Sequence, residues 1–202
     1  MTRPNEITIA LVATLLGSAT AALATVPDPR FSVLDAIGVG DNTGTAVGGA
    51  PAGFDVSVRD ASNVPVPNSV VVLDFSSSSV RAYTTQNSGT TLDASARTLT
   101  RIAPNGATNF AVRSGGFSNA RVVHVSGNGM FLADVPWRST DVDALDGRTG
   151  LSDFTYFASR FLTQSAAPEL NFDLSSSDVP GLGDFTIFSS EYLSGPTETY
   201  AW

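Results

Sequence analysis

Gly150-Leu151-Ser152-Asp153-Phe154-Thr155-Tyr156-Phe157-Ala158-Ser159-Arg160-Phe161-Leu162 returns 31 residues later as Gly181-Leu182-Gly183-Asp184-Phe185-Thr186-Ile187-Phe188-Ser189-Ser190-Glu191-Tyr192-Leu193. Eight of the 13 aligned positions are identical, so the segment is a duplicated unit. Each copy spaces its apolar residues by three or four: Leu151, Phe154, Phe157 and Phe161, then Leu182, Phe185, Phe188 and Tyr192. That spacing predicts two amphipathic helices burying these stripes against each other.

The stretch ahead of each helix is rich in side-chain oxygens. In Asp141-Val142-Asp143-Ala144-Leu145-Asp146-Gly147-Arg148-Thr149-Gly150-Leu151-Ser152-Asp153 they alternate at the start, Gly147 permits a sharp turn, and Asp153 closes the loop on the first helical turn. The second copy offers Asn171, Asp173, then Ser177 or Asp178, and Asp184. Ca2+ takes about six to eight hard oxygen ligands around one point, and a short curled loop of this composition supplies them. Asp ahead of a helix is also an ordinary N-cap, so Asp153 and Asp184 alone would indicate nothing. The repetition of four oxygens per loop is what points to calcium.

Loop and exit helix, occurring twice, resemble dockerin modules, the duplicated calcium-binding units found at the C-terminus of secreted bacterial proteins. The resemblance spans residues 139–193. It implies Asp141, Asp143, Asp146 and Asp153 as side-chain ligands in the first loop, with the carbonyl of Arg148 as a seventh-position donor. Asn171, Asp173, Asp178 and Asp184 would serve in the second. The family loop has about 12 residues, whereas Asp141 to Asp153 is 13 inclusive and Asn171 to Asp184 is 14. The second loop also has no glycine where Gly147 stands in the first, which leaves site two weak or metal-free. Leu151-Ser152 and Leu182-Gly183 replace the paired hydroxyl residues that many dockerins present to cohesin.

Outward from the repeat, residues 31–136 have the period of strands. Phe54-Asp55-Val56-Ser57-Val58, Phe110-Ala111-Val112 and Val123-His124-Val125 alternate, and Gly, Asn, Ser or Pro clusters bound them. Val70-Val71-Val72-Leu73 fits a strand covered on both faces or one with an outward valine. Asn105-Gly106, Gly115-Gly116 and Asn128-Gly129 are turn signals. Val58-Arg59-Asp60-Ala61-Ser62-Asn63-Val64-Pro65-Val66-Pro67-Asn68-Ser69-Val70, followed by Ala107-Thr108-Asn109-Phe110-Ala111-Val112-Arg113-Ser114-Gly115, resembles the bacterial immunoglobulin-like modules of invasin and intimin type. That likeness implies an antiparallel β-sandwich acting as a spacer or presentation module. The expected class is therefore mainly β, an Ig-like sandwich followed by a small α module of two loop-helix, EF-hand-like repeats.

At the other end, Arg3, the apolar run from Ile7 to Leu16 and Ala22-Leu23-Ala24 occur in the order of a secretory signal. The expected organisation is a signal peptide over 1–24, the sandwich over 25–138, the dockerin-like module over 139–194 and a flexible tail over 195–202. No transmembrane segment is expected once the signal is removed, and the protein is expected outside the cell or on its surface.

Composition narrows the function further. The 202 residues include 18 Gly, 11 Pro and no Cys, and all 11 basic residues are Arg. Disulfides, thiolate metal sites, cysteine nucleophiles and lysine Schiff bases are thereby excluded. His124 is the single histidine and lies in an alternating stretch, which reads as an ordinary strand position. Residues 1–138 carry nine acids and nine Arg, net 0, whereas 139–202 carry ten acids and two Arg, net −8. A nucleic-acid backbone would be repelled by that segment. The expectation is a non-catalytic adaptor with a cohesin-like or cell-envelope protein as partner. Two alternatives stand beside it: a fibre subunit self-associating through sheet edges, favoured by an exposed donor strand near residues 25–39, and a carbohydrate-binding sandwich. Trp137 and Trp202, the only tryptophans, suggest no aromatic platform for the latter.

Overall fold

A computed structural model of the chain describes residues 26–35, 38–40, 53–142, 146–173, 177–192 and 198–202. The expected signal peptide and the proposed ligand Asp143 lie outside the described residues.

The chain is mainly β, with three sheets and, among the described residues, two α-helices. β3 (Phe54–Ser57) is flanked by β1 (Val33–Leu34) and β8 (Ala107–Phe110), both antiparallel to it. The largest sheet runs β2 (Gly38–Gly40), β11 (Met130–Ser139), β10 (Ser118–Gly127), β4 (Ser69–Asp74), β7 (Thr98–Ala103) and β6 (Thr91–Asp93). A two-stranded ribbon pairs β5 (Arg81–Ala82) with β9 (Ser114–Gly115). Nearly every pairing is antiparallel. The exception is β2 on β11, which runs parallel with Trp137 opposite Gly38 and Ser139 opposite Gly40.

Strand alternation decides what goes inside. Phe54 and Val56 from β3, Val71 and Leu73 from β4, Phe110 from β8, Val123 and Val125 from β10, and Val135 and Trp137 from β11 are buried in one apolar cluster. Val70 is exposed, so β4 is a strand with an outward valine rather than one covered on both faces. Trp137 lies at the centre, 5.7 Å from the Phe54 ring and 5.2 Å from that of Phe75, the latter edge-on. Asn128 and Gly129 both take positive φ, 49° and 77°, as the tight β10–β11 hairpin requires. On that hairpin His124 faces Asp134 across the strands and their side chains pair at the surface.

The C-terminal module is built on α1 (Leu151–Thr163) and α2 (Leu182–Glu191), with a short 3-10 turn at Pro168–Leu170 between them. Its own core holds Val142, Phe157, Ala167, Leu170, Phe172 and Phe188. Phe157 and Phe188 stack with centroids 5.1 Å apart, and each also meets the other copy's first aromatic, Phe157 with Phe185 and Phe188 with Phe154. Burying each of those two central rings stabilises the pair by about 2–3 kcal/mol.

The stripes are not buried along their full length. Leu151 and Leu182 are 68% and 75% exposed, and Phe154 and Phe185 are 38% and 40% exposed. Helical geometry explains the gradient. Steps of three residues fall short of a full turn by about 60°, so a residue six positions before the central ring points roughly 120° away from it.

The expected flexible tail is also different. Over its described residues, 198–202, it lies along β5 and packs against the β core: Trp202 donates its Nε1–H to the Val80 carbonyl at 3.0 Å and sits 6.1 Å from the Phe75 ring. Among the described residues, no helix is long and apolar enough to cross a membrane.

Candidate metal centre

β11 ends at Ser139 and delivers Thr140 and Asp141 into the space between the ribbon and α1. Ser139 Oγ donates to the Ser114 carbonyl, and the Gly116 N–H donates to the Asp141 carbonyl at 2.7 Å. Asp141 is thus held by the β5–β9 ribbon before its side chain does anything. The carboxylate is fully buried. Its Oδ2 accepts from the Tyr83 hydroxyl at 3.0 Å, the Tyr200 hydroxyl at 2.5 Å and the Gly147 N–H at 3.2 Å. Its Oδ1 is buried and accepts no hydrogen bond.

Asp153, at the third position of α1, reaches back in two directions. Oδ1 accepts from the Val142 N–H at 2.7 Å and Oδ2 from the Gly150 N–H at 2.9 Å, which caps the helix and closes the loop in one step. Asp146 stands at the exposed rim. One carboxylate oxygen each from Asp141, Asp146 and Asp153 lies within 4.8 Å of the other two.

Three acids converging with a buried oxygen that nothing satisfies are unfavourable without a cation. A buried acceptor left unmade costs roughly 1–3 kcal/mol, and like charges at this range add repulsion. The Asp141 carboxyl is accordingly pushed up to about 6, first by burial and then by the charges of Asp153 and Asp146, against the opposing hydrogen bonds from Tyr200 and Tyr83. Burial, reinforced by the Asp141 charge, drives both tyrosine hydroxyls far above the ordinary phenol range, so they remain donors. Three carboxylates and a buried orphan acceptor beside an exposed rim make a group that could hold a metal ion. Of the other residues expected here, Arg148 has an exposed side chain on the loop between Gly147 and Thr149.

The second loop is built differently. Asp184 repeats the role of Asp153, accepting from the Asp173 N–H at 3.0 Å and the Gly181 N–H at 2.8 Å. These partners place Asp173 opposite Val142, hence Asn171 opposite Thr140 and Phe172 opposite Asp141. Counted in this register the two loops have equal length, and the residue that should carry the central carboxylate is a core phenylalanine. Asp173 lies against Gly183, where any Cβ would collide with its carboxylate. Asn171 donates from Nδ2 to the Ser177 carbonyl at 2.9 Å, and the Asp178 carbonyl accepts from the Ala167 N–H at 2.7 Å. Among the described residues, Asp173, Asp178 and Asp184 form no convergent group of the kind seen in loop one.

A buried arginine meets this loop. Arg138, buried at the end of β11, donates from its guanidinium to the Asn171 carbonyl. Asp178, Asp184 and Glu169 all attract its charge, while burial pulls its basicity down. Burial raises the Asp184 carboxyl, against the backbone N–H bonds it accepts.

Tyr83, Tyr200 and Arg138 had no signal in the local sequence. Tyr83 and Tyr200 stand 58 and 59 residues from the carboxylate they serve, beyond the reach of any loop motif. Comparison of the chain with protein-family models, with curated proteins and with solved structures finds no match.

Proposed function

We propose that the chain is a non-catalytic, secreted calcium-binding protein. In this reading one Ca2+ at loop one braces a dockerin-like pair of helices against an Ig-like β-sandwich. Two observations carry it: Asp141, Asp146 and Asp153 each bring a carboxylate oxygen within 4.8 Å of the others, and the buried Oδ1 of Asp141 accepts no hydrogen bond. Asp143, expected from the resemblance as a fourth ligand, lies outside the described residues.

The helix pair is the docking element. Leu151 with Phe154, and Leu182 with Phe185, are exposed to matching degrees on the two copies, so the module offers a repeated apolar contact surface. Its partner is a protein of the cell envelope or of a secreted complex. The fibre alternative is disfavoured because β1 and β2, in the stretch that would donate a strand, already pair within the chain.

Isothermal titration of the chelated protein with Ca2+ tests the reading. One equivalent should bind, and Asp141→Asn, Asp146→Asn and Asp153→Asn should each weaken it at least tenfold, whereas Asp178→Asn should leave it unchanged. Absence of heat in the parent protein would remove calcium from the account.

A further inference from the structure

The segment 198–202 shares its anchor points with the acidic loop. Tyr200 donates to the same Oδ2 of Asp141 that Tyr83 and Gly147 use, while Oδ1 of that carboxylate stands without a donor. Glu198 reaches the loop through the backbone, its N–H donating to the Gly147 carbonyl at 2.8 Å. The approach is so close that a Cβ on Gly147, whose φ is +89°, would run into the Glu198 carbonyl. Past these two contacts the segment becomes an added strand on β5: Thr84 N–H donates to the Thr199 carbonyl and Ala201 N–H to the Ala82 carbonyl, each at 2.8 Å, with Tyr83 bridged to Tyr200. Arg113 holds Glu198 from the ribbon side at 2.5 Å.

We propose that residues 198–202 form a latch whose closure on β5 is controlled by the cation in loop one. The inference rests on the calcium reading above and adds what the ion regulates. With the cation in place, Asp141 and Gly147 are held where Tyr200 and Glu198 need them, and the latch is closed. Without it, the three carboxylates repel one another and the loop that carries Gly147 loosens. Tyr200 and Glu198 then lose their shared support, and the outer edge of β5 opens. Because the coupling is an equilibrium linkage, it acts in both directions: weakening the latch must weaken the site.

Hydrogen exchange by mass spectrometry on the full chain, in Ca2+ and in chelator, tests this beside the titration. The amides of Thr84, Glu198 and Ala201 should exchange at least tenfold faster in chelator, while those of the β4–β7 ladder keep their rates. Tyr200→Phe retains the ring and the strand pairing but removes the hydroxyl. It should raise exchange at Thr84 and Ala201 in Ca2+ and weaken calcium binding several-fold. Calcium binding with unchanged exchange at the three latch amides overturns the latch and leaves the metal site standing, as does a Tyr200→Phe protein with parental affinity. No calcium binding at all overturns both.

Discussion

Replacing Asp141 by Asn separates the cost of the acidic loop from its use. Asn keeps one oxygen to accept from Tyr83, Tyr200 and Gly147, and it removes the negative charge that Asp146 and Asp153 oppose. Burial, with the neighbouring charges of Asp153 and Asp146, pushes the Asp141 carboxyl up to about 6 from its ordinary 3.8. The folded state therefore holds its proton more tightly than the unfolded chain. Stability from this group is present below pH 4 and is lost as pH rises through 6. The displacement corresponds to an upper value of about 3 kcal/mol at neutral pH. In chelator at pH 7.5, Asp141→Asn should be more stable than the parent by about 2–3 kcal/mol, or on the order of 5–10 °C in melting temperature. At pH 4 that difference should vanish. Adding Ca2+ to a hundredfold excess over the parent's Kd stabilises the parent by about 2.7 kcal/mol and a tenfold-weaker variant by no more than about 1.4 kcal/mol, so the gap narrows. Scanning calorimetry in chelator and in Ca2+ at both pH values reads all four conditions. A variant that is less stable than the parent in chelator and shifts with Ca2+ as far as the parent does would refute the reasoning.

Gly147→Ala combines a left-handed backbone with a clash against Glu198, and should destabilise the protein by about 2–4 kcal/mol in urea unfolding in Ca2+, and by less in chelator, where the latch is open and only the backbone strain remains. Arg138→Gln removes the buried guanidinium that donates to the Asn171 carbonyl and that Asp178, Asp184 and Glu169 attract; a loss of roughly 1–3 kcal/mol is expected in the same assay, with calcium affinity unaltered. Asp153→Asn and Asp184→Asn weaken equivalent helix caps by about 1 kcal/mol each, but only Asp153→Asn should reduce calcium binding in a titration. Phe188→Ala empties the stack with Phe157 and should cost about 3–5 kcal/mol, with loss of cooperativity in the near-ultraviolet dichroism melt.

What could be read from the sequence was local. Alternation placed β3 and the hydrophobic face of β10, Asn128-Gly129 marked its hairpin, and the 31-residue repeat located both helices and both capping aspartates. Matching the acids of the second loop in order of occurrence sets Asn171 against Asp141, a register that the two helix caps do not share. Matching by the helices sets Phe172 against Asp141, and the loop's missing carboxylate becomes evident. Leu151 and Leu182 entered the apolar stripes by spacing alone, which cannot tell a face from its margin. The segment 198–202, the tyrosines on Asp141 and the arginine under loop two depend on contacts between residues far apart in the chain, which leave no period to detect. They also mean that the module is not separable at residue 138. A fragment beginning at 139 would lack Arg138, Tyr83 and the ribbon.

The parallel pairing of β2 with β11 has a mechanical meaning. Force entering through the chain ahead of Gly38 and leaving past Ser139 would draw these two strands along each other rather than peel them apart. The bonds between them then share the load at once and must fail together. An antiparallel partner at the same place would open one bond at a time, like a zip. A protein tethered through its N-terminal side and gripped by its helices would meet tension at a seam that resists sliding.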